Sequence, residues 1–198
     1  MTHPLLQRLR EDERGASIVE FALVVPVMFL MFMGFGELAY EAYVNSVLTG
    51  AIQKAGRDST IQGAAAKAST LDDSVLAQVR NVAPAAAYVS TPTRKSYEKF
   101  GYISPEPFTD SNGNGIRDPS ECYTDINGNS AWDADPGSSG QGGANDAVVY
   151  TATITYPRIF PMFGMLGWSP NATITDSTVL KNQPYASRSA STPATVCK

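Results

Sequence analysis

Histidine is nearly missing from this chain: His3 is the single one in 198 residues. Its scarcity removes Ser–His and Cys–His nucleophilic pairs, and histidine-bearing metal centres, from everything beyond the first few residues. Cysteine is almost as scarce. Cys122 and Cys197 are the two present, and neither belongs to a C-x-x-C pair, which argues against a thiolate zinc site or a dithiol redox motif. In an exported chain the simple reading is one structural disulfide between them, with two free thiols as the alternative. Charge is thin too. Only 17% of residues are Asp, Glu, Lys or Arg, the net charge is −4, and the basic residues are scattered. Nucleic acid is therefore not an expected partner, because no basic stripe exists to neutralise phosphates. No phosphate-cradling glycine loop follows a strand pattern either. The chain reads as a non-enzyme. The one catalytic class left open is a carboxylate-only glycoside hydrolase, since two acids suffice for that chemistry.

What the chain does have is a long apolar run. From Ile18 to Gly36 the only charge is Glu20. Those roughly 19 residues approach the ~20 that a helix needs to cross a ~30 Å hydrocarbon layer. A cleaved secretory signal has a shorter apolar region and a small-x-small site after it. Here a polar helical pattern follows instead, so a retained membrane helix is predicted. Arg8, Arg10 and Arg14 precede it and favour a cytoplasmic N-terminus, a bias that Lys54 and Arg57 weaken slightly. Glu20 is costly in this setting, about 2.5–3.5 kcal/mol at the bilayer centre and less near the edge. Either it reaches the headgroups or something pairs with it.

Beyond Glu37 the apolar residues Leu38, Tyr40, Val44, Val47, Leu48, Ala51, Ile52 and Ala55 recur at threes and fours. That is one face of a helix continuing out of the membrane, bent at Pro26. Leu71–Val82 reads as a short second helix, with Ser69, Thr70 and the aspartates available as caps and Pro84 after its end. Ala147–Tyr156 and Asn171–Leu180 alternate and are rich in β-branched residues, so both are predicted strands. Tyr97–Phe108 reads as an edge strand limited by Pro105. Between the two strong strands, PRIFPMFGMLGWSP (157–170) is an apolar loop. Burial in the core is its simplest fate, with packing on the helix or a partner, or entry into the membrane surface, as alternatives. Residues 184–198 look loose apart from Cys197. The expected fold class is α+β: a long N-terminal transmembrane helix extending into a small head with a short second helix, an antiparallel sheet and a calcium-loop insertion.

That insertion is the second informative stretch, DSNGNGIRDPSECYTDINGNSAWDADPG. D-x-N-G-N occurs twice, fifteen residues apart. In the first copy Asp110, Asn112 and Asn114 take positions 1, 3 and 5 of a twelve-residue calcium loop, Gly115 takes 6, the Ile116 carbonyl 7, Asp118 9 and Glu121 12. A hard cation wants six to eight oxygens, and alternate side chains of a tight loop supply them. In the second copy Asp125, Asn127, Asn129, the Ala131 carbonyl and Asp133 align, but Ser130 replaces the glycine and Pro136 stands at position 12, after Asp135. Paired hairpin turns would also use Asn-Gly. The flanks are not helix-like, so a bare loop resembling those of dockerin-type or thrombospondin-type repeats is expected rather than a helix–loop–helix unit. Oxygen donors without nearby His or Cys favour calcium as the cofactor.

Gly15 followed by Ala16, with Glu20 as fifth residue of a chain beginning at Ala16, resembles type IV prepilins and pseudopilins. The wider stretch IVEFALVVPVMFLMFMGFGELAYEAYVNSVLTGAIQKAGRDSTIQG is similar to the TadE-like family, minor pseudopilins of tight-adherence (Flp) pilus systems. VEFAL, Pro26 within the membrane helix, the turn at Glu37, Tyr40 and Tyr43, and the alanine-rich continuation carry the likeness over residues 14 to about 62. A faint echo lies in TVLKNQPY at 178–185. The resemblance implies a cytoplasmic leader (1–15) removed by a prepilin peptidase, a transmembrane helix (16–36), its extramembrane continuation (37–63) and a periplasmic or extracellular head (64–198) that includes the loop repeat at 110–136. It also implies residence in a bacterial inner membrane, with other pilins and the pilus assembly platform as partners. Glu20 would then pair with the free N-terminal ammonium of a neighbouring subunit, fixing register where apolar contacts would slide. The alternative is an unprocessed single-pass calcium-binding surface or periplasmic protein.

Overall fold

A computed structural model describes residues 14–60, 67–160, 162–184 and 192–197. Helix α1 (Arg14–Ser59, 46 residues) runs unbroken through Pro26. Helix α2 spans Ala68–Arg80, and the strands are β1 (Ala87–Tyr88), β2 (Thr93–Tyr97), β3 (Tyr123–Asp125), β4 (Ser138–Ser139), β5 (Ala147–Pro157), β6 (Asn171–Lys181) and β7 (Ala194–Val196). A single turn of helix, α3 (Met162–Met165), lies between β5 and β6. Two compact units result. One holds α1 up to Tyr43 with residues 157–172, and the other holds 44–156 with 173–198.

The larger unit is built around β5. Its burial alternates, with Val148, Tyr150, Ala152, Ile154 and Tyr156 buried and the residues between them half-buried, as a strand with one face on the core requires. β6 pairs with one edge of β5, and β1 and β2 pair antiparallel with it in turn. Tyr88 faces Ile154 and Thr93 faces Thr151, so four residues of the β1–β2 segment span two of β5, a bulge containing Pro92. β2 is thus an interior strand between β5 and β4, and it begins earlier than the predicted Tyr97–Phe108 edge. From the helices the core takes Val44, Leu48, Ala51, Ile52 and Ala55 of α1, on the predicted stripe, and Val75 and Val79 of α2. Leu38, by contrast, is exposed. β6 passes so close to α1 that a Cβ on Gly56 would fall 2.1 Å from Leu180 Cδ1.

The start of α2 differs from expectation. Lys67 precedes it without any side-chain cap, and Ser69 and Thr70 lie inside the helix. Asp72 is instead turned into the fold. Its carboxylate accepts from Arg94 at 2.6 and 3.2 Å and from the Tyr150 hydroxyl at 2.7 Å, while its carbonyl accepts from the Tyr88 hydroxyl at 2.7 Å. The guanidinium lies 4.5 Å above the Tyr150 ring. Burial raises both phenols, Tyr88 to about 12 and Tyr150 higher still, so both act as neutral donors. One charge pair therefore joins α2, β1, β2 and β5.

A second small sheet pairs β3 with β7 antiparallel, Tyr123 against Val196. The Cys122–Cys197 disulfide lies beside it. The C-terminal segment is therefore ordered at 192–197 rather than loose, and residues 185–191 lie outside the described residues. A cross-link over a separation of 75 residues stabilises by about 4 kcal/mol in the chain-entropy picture.

In the smaller unit, residues 157–160 and 162–170 return along α1. Arg158 Nη1 lies 3.4 Å from Glu37 Oε1 and 3.2 Å from Glu41 Oε2, and the Phe160 N–H donates to Glu37 Oε2 at 3.2 Å. The apolar loop is only partly covered, so core burial is not its whole fate: Met165, Leu166 and Trp168 are exposed.

Removing one member of the Asp72–Arg94 pair leaves a nearly buried charge alone. Arg94→Ala is expected to cost about 3–5 kcal/mol in urea unfolding followed by tyrosine fluorescence, and Tyr88→Phe, which removes one neutral donor, about 1 kcal/mol.

Candidate functional site

The two Asp/Asn loops have the same internal geometry. In the first, Asp110 accepts backbone N–H bonds from Gly113 (2.7 Å), Asn114 (3.2 Å) and Gly115 (2.8 Å). In the second, Asp125 accepts from Gly128 (2.7 Å) and Ser130 (2.8 Å). Asn112 and Asn127 each take the N–H two residues on, as do Asn114 from Ile116 and Asn129 from Ala131. Asp118 Oδ2 lies 2.6 and 3.1 Å from the amide nitrogens of Asn112 and Asn114, and Asp133 Oδ2 lies 2.7 Å from those of both Asn127 and Asn129. Positions 3, 5 and 9 therefore converge in both copies.

Replacing glycine by Ser130 does not change the path. Gly113 and Gly115 have φ of 74°, and Gly128 and Ser130 have 77° and 61°. A non-glycine residue in the left-handed region costs about 1–2 kcal/mol. The surrounding hydrogen bonds hold Ser130 there.

Position 12 is where the structure adds a residue that the motif does not contain. In the first loop Glu121, buried, accepts from the N–H of Ser111 (2.7 Å, position 2) and of Asp118 (3.0 Å, position 9). In the second, Pro136 has no carboxylate to offer, and Asp135 is engaged elsewhere by Lys95, Tyr97 and the Gly137 N–H. Glu106 fills the place. It is 1% exposed and accepts from the N–H of Ile126 (2.7 Å, position 2) and of Asp133 (3.0 Å, position 9). The partners and distances repeat those of Glu121.

The exchange follows from a longer repeat than D-x-N-G-N. Glu106-Pro-Phe-Thr-Asp110 and Glu121-Cys-Tyr-Thr-Asp125 are in register at fifteen residues. Phe108 and Tyr123, equivalent positions, form an antiparallel bridge. The Thr109 N–H donates to the Cys122 carbonyl and the Thr124 N–H to the Pro107 carbonyl, both at 2.8 Å, again equivalent atoms. The repeats thus meet about a local pseudo-twofold, and the glutamate opening each repeat braces the other repeat's loop. Glu106 was legible as the missing half of an E-x-[FY]-T-D pattern, once the repeat is extended four residues backward.

Every side chain here offers oxygen, the donor type of a hard divalent cation, and a carboxylate oxygen accepting one N–H keeps a second lone pair. Among the described residues no group of three His, Cys, Asp or Glu side chains is disposed to hold a metal ion. The Asn amide groups, which here donate to Asp118 and Asp133, are what an incoming cation would have to displace. Among the described residues, then, the structure brings positions 3, 5 and 9 together, turns positions 1 and 12 onto backbone, and adds Glu106.

The membrane segment is simpler. Gly15 and Ala16 lie in the first turn of α1, and residues 1–13 lie outside the described residues. Glu20 is exposed, and none of the ion pairs among the described residues includes it. The most apolar stretch of α1 has a mean hydropathy of 2.3 and is uncovered, so this helix is long and apolar enough to cross a membrane.

These features define an α+β protein with one membrane-capable N-terminal helix, a disulfide and a duplicated Asp/Asn loop module. Within it, residues 15–57 match the family model described as TadE-like protein. The likeness at 178–185 lies outside that match. No curated protein and no solved structure matches the chain.

Glu106→Gln is expected to loosen the loop at 125–133 and Glu121→Gln the loop at 110–118, each by about 2 kcal/mol of hydrogen bonding to a charged acceptor, read by amide exchange of the loop N–H groups. The Gly115 N–H foremost, with those of Gly113, Asn114 and Asn112, outweighs desolvation and holds the Asp110 carboxyl below its ordinary range. Its contribution to order is therefore complete above the unfolded carboxylate value and lost as pH falls through the lower folded value. Amide protection of Gly113 and Gly115 should survive to more acidic pH than an unperturbed aspartate allows, and disappear in Asp110→Asn at every pH.

Proposed function

We propose that this chain is a pseudopilin-like assembly component of a Tad (tight-adherence, Flp) pilus, cut by a prepilin peptidase between Gly15 and Ala16. It would be held in the bacterial inner membrane with its head on the far side from the cytoplasm. The observation that carries this reading is the TadE-like match over residues 15–57, which takes in the uncovered apolar part of α1 together with its buried continuation and includes Glu20. Arg8, Arg10 and Arg14 before the apolar run support the orientation. In the assembled state the free ammonium at Ala16 of a neighbour neutralises Glu20, offsetting the cost of a carboxylate in lipid. Other pilins, the peptidase and the assembly platform are the partners of that reading.

In the head, calcium is the proposed structural cofactor. Asp110, Asn112, Asn114, the Ile116 carbonyl, Asp118 and Glu121 would hold one ion. Asp125, Asn127, Asn129, the Ala131 carbonyl, Asp133 and Glu106 would hold a second. The ion would supply neutralisation of the carboxylates, and extracellular modules of this kind bind at roughly 10⁻⁴ to 10⁻³ M.

Co-expression with the cognate peptidase should yield a mature chain whose N-terminal sequencing starts at Ala16, and Glu20→Ala should be processed yet fail to enter the pilus complex. Pilus assembly undiminished in Glu20→Ala would defeat the pairing. Separately, millimolar calcium should raise the melting temperature and protect residues 104–143 from protease, and a chelator should reverse both. An unchanged digestion pattern would remove the ion and leave the pilus reading untouched.

A further inference from the structure

We propose that residues 157–160 and 162–170 form a lipid-binding lobe that inserts into the membrane surface beside α1, giving the chain a second membrane contact. The lobe opens at a neck closed by the Arg158 N–H to the Pro170 carbonyl at 2.9 Å. From there it descends α1. Arg158 meets Glu41 and Glu37, the Phe160 ring lies against Gly36, and the Met162 side chain lies against Gly34. Each step along the lobe touches a residue earlier in the helix. Over seven residues of α1 this is about 10 Å, directed toward the apolar run that ends at Gly36.

The two glycines make the seat. A Cβ on Gly36 would fall 2.9 Å from the Phe160 ring, and one on Gly34 would fall 3.4 Å from Met162 Cε. Glu37 at the same level is completely buried, which is possible because Arg158 and the Phe160 N–H neutralise and satisfy it. The guanidinium also lies 4.2 Å above the Phe163 ring. The charged groups of the neck thus face one another, and the outer surface of the lobe is left to apolar side chains.

Those side chains are uncovered: Ile159, Met165, Leu166 and Trp168 are 55, 77, 57 and 61% exposed. The Phe163 and Trp168 rings meet at a tilt of 40° with centroids 5.3 Å apart, and the Trp168 backbone N–H donates to the Phe163 carbonyl, so the tip is a folded knob. A cluster of this kind in water is costly. Phe32 and Phe35, in the part of α1 that the lobe descends toward, are exposed as well. An aromatic and aliphatic tip at the end of a membrane helix, with Arg and Glu behind it, matches the headgroup level of a bilayer. The occupant is therefore the lipid surface rather than a protein groove. The inference depends on the helix crossing a membrane, but on neither pilus assembly nor calcium.

The test uses the full chain in lipid vesicles, carrying Trp132→Phe so that Trp168 is the sole tryptophan. Lipids brominated near the headgroup or at mid-chain serve as quenchers. Trp168 emission should be blue-shifted, and headgroup-proximal bromines should quench it roughly twofold more than mid-chain ones. Gly36→Leu, which unseats Phe160, should abolish that quenching while the Cys122–Cys197 disulfide and head amide exchange stay unchanged. Water-like emission without quenching in vesicles where α1 is protected from protease would overturn the lobe. So would a blue shift that needs high protein density and shows no bromine quenching, since that outcome means a second subunit covers the tip. Loss of α1 protection itself would instead count against the membrane helix on which both readings rest.

Discussion

A carboxylate removed from water has to be given donors, and in this chain those donors come from segments distant in sequence. Asp72 on α2 draws Arg94 and Tyr150, Glu37 on α1 draws Arg158, and Glu106 and Glu121 take backbone N–H groups from loops that each other's repeats begin. A charge left alone in any of these places costs several kcal/mol, more than one apolar contact returns. Each acid therefore fixes which segments meet, while the apolar residues around it supply bulk stability. The apolar contacts alone would tolerate several registers of α2 and β2 on β5. The bidentate approach of Arg94 to Asp72 does not.

The same constraint separates what the sequence made legible from what it did not. Periodicity exposed α1, its buried stripe from Val44 to Ala55, and the two long strands β5 and β6, because repeated burial leaves a repeated pattern. β1, β4 and β7 left no such trace. They are two or three residues long, and their partners, not their own composition, make them strands. Asp72 read as a helix cap because aspartate near a helix start usually is one, and only the tertiary position of Arg94 reveals otherwise. For the loop module the sequence carried nearly everything, including the fifteen-residue spacing. Glu106 escaped because a twelve-residue loop pattern looks forward from its first aspartate, whereas the duplicated unit starts four residues behind it.

Duplication also explains how an incomplete loop persists. A single Asp/Asn loop lacking a terminal carboxylate would leave the N–H groups of its positions 2 and 9 without an acceptor. Paired about the Phe108–Tyr123 bridge, the second loop borrows Glu106, and the disulfide at Cys122 ties the strand carrying that bridge to β7. Ser130 can then occupy a left-handed conformation that a free loop would give to glycine. Glu106 and Glu121 thus tie the two loops to one another through backbone N–H groups.

Two acids on one helix meet the constraint differently. Glu37 sits where the apolar run ends and is silenced by its own chain, through a lobe that must travel back from β5 to bring Arg158 to it. Glu20 lies near the other end of that run, exposed, with no such lobe among the described residues. Lipid offers neither carboxylate a donor. The proposed ammonium of a neighbouring subunit would give Glu20 the partner that Glu37 finds within its own chain. A freestanding anchor gains nothing from keeping Glu20 ionisable, since any apolar residue there would insert more cheaply.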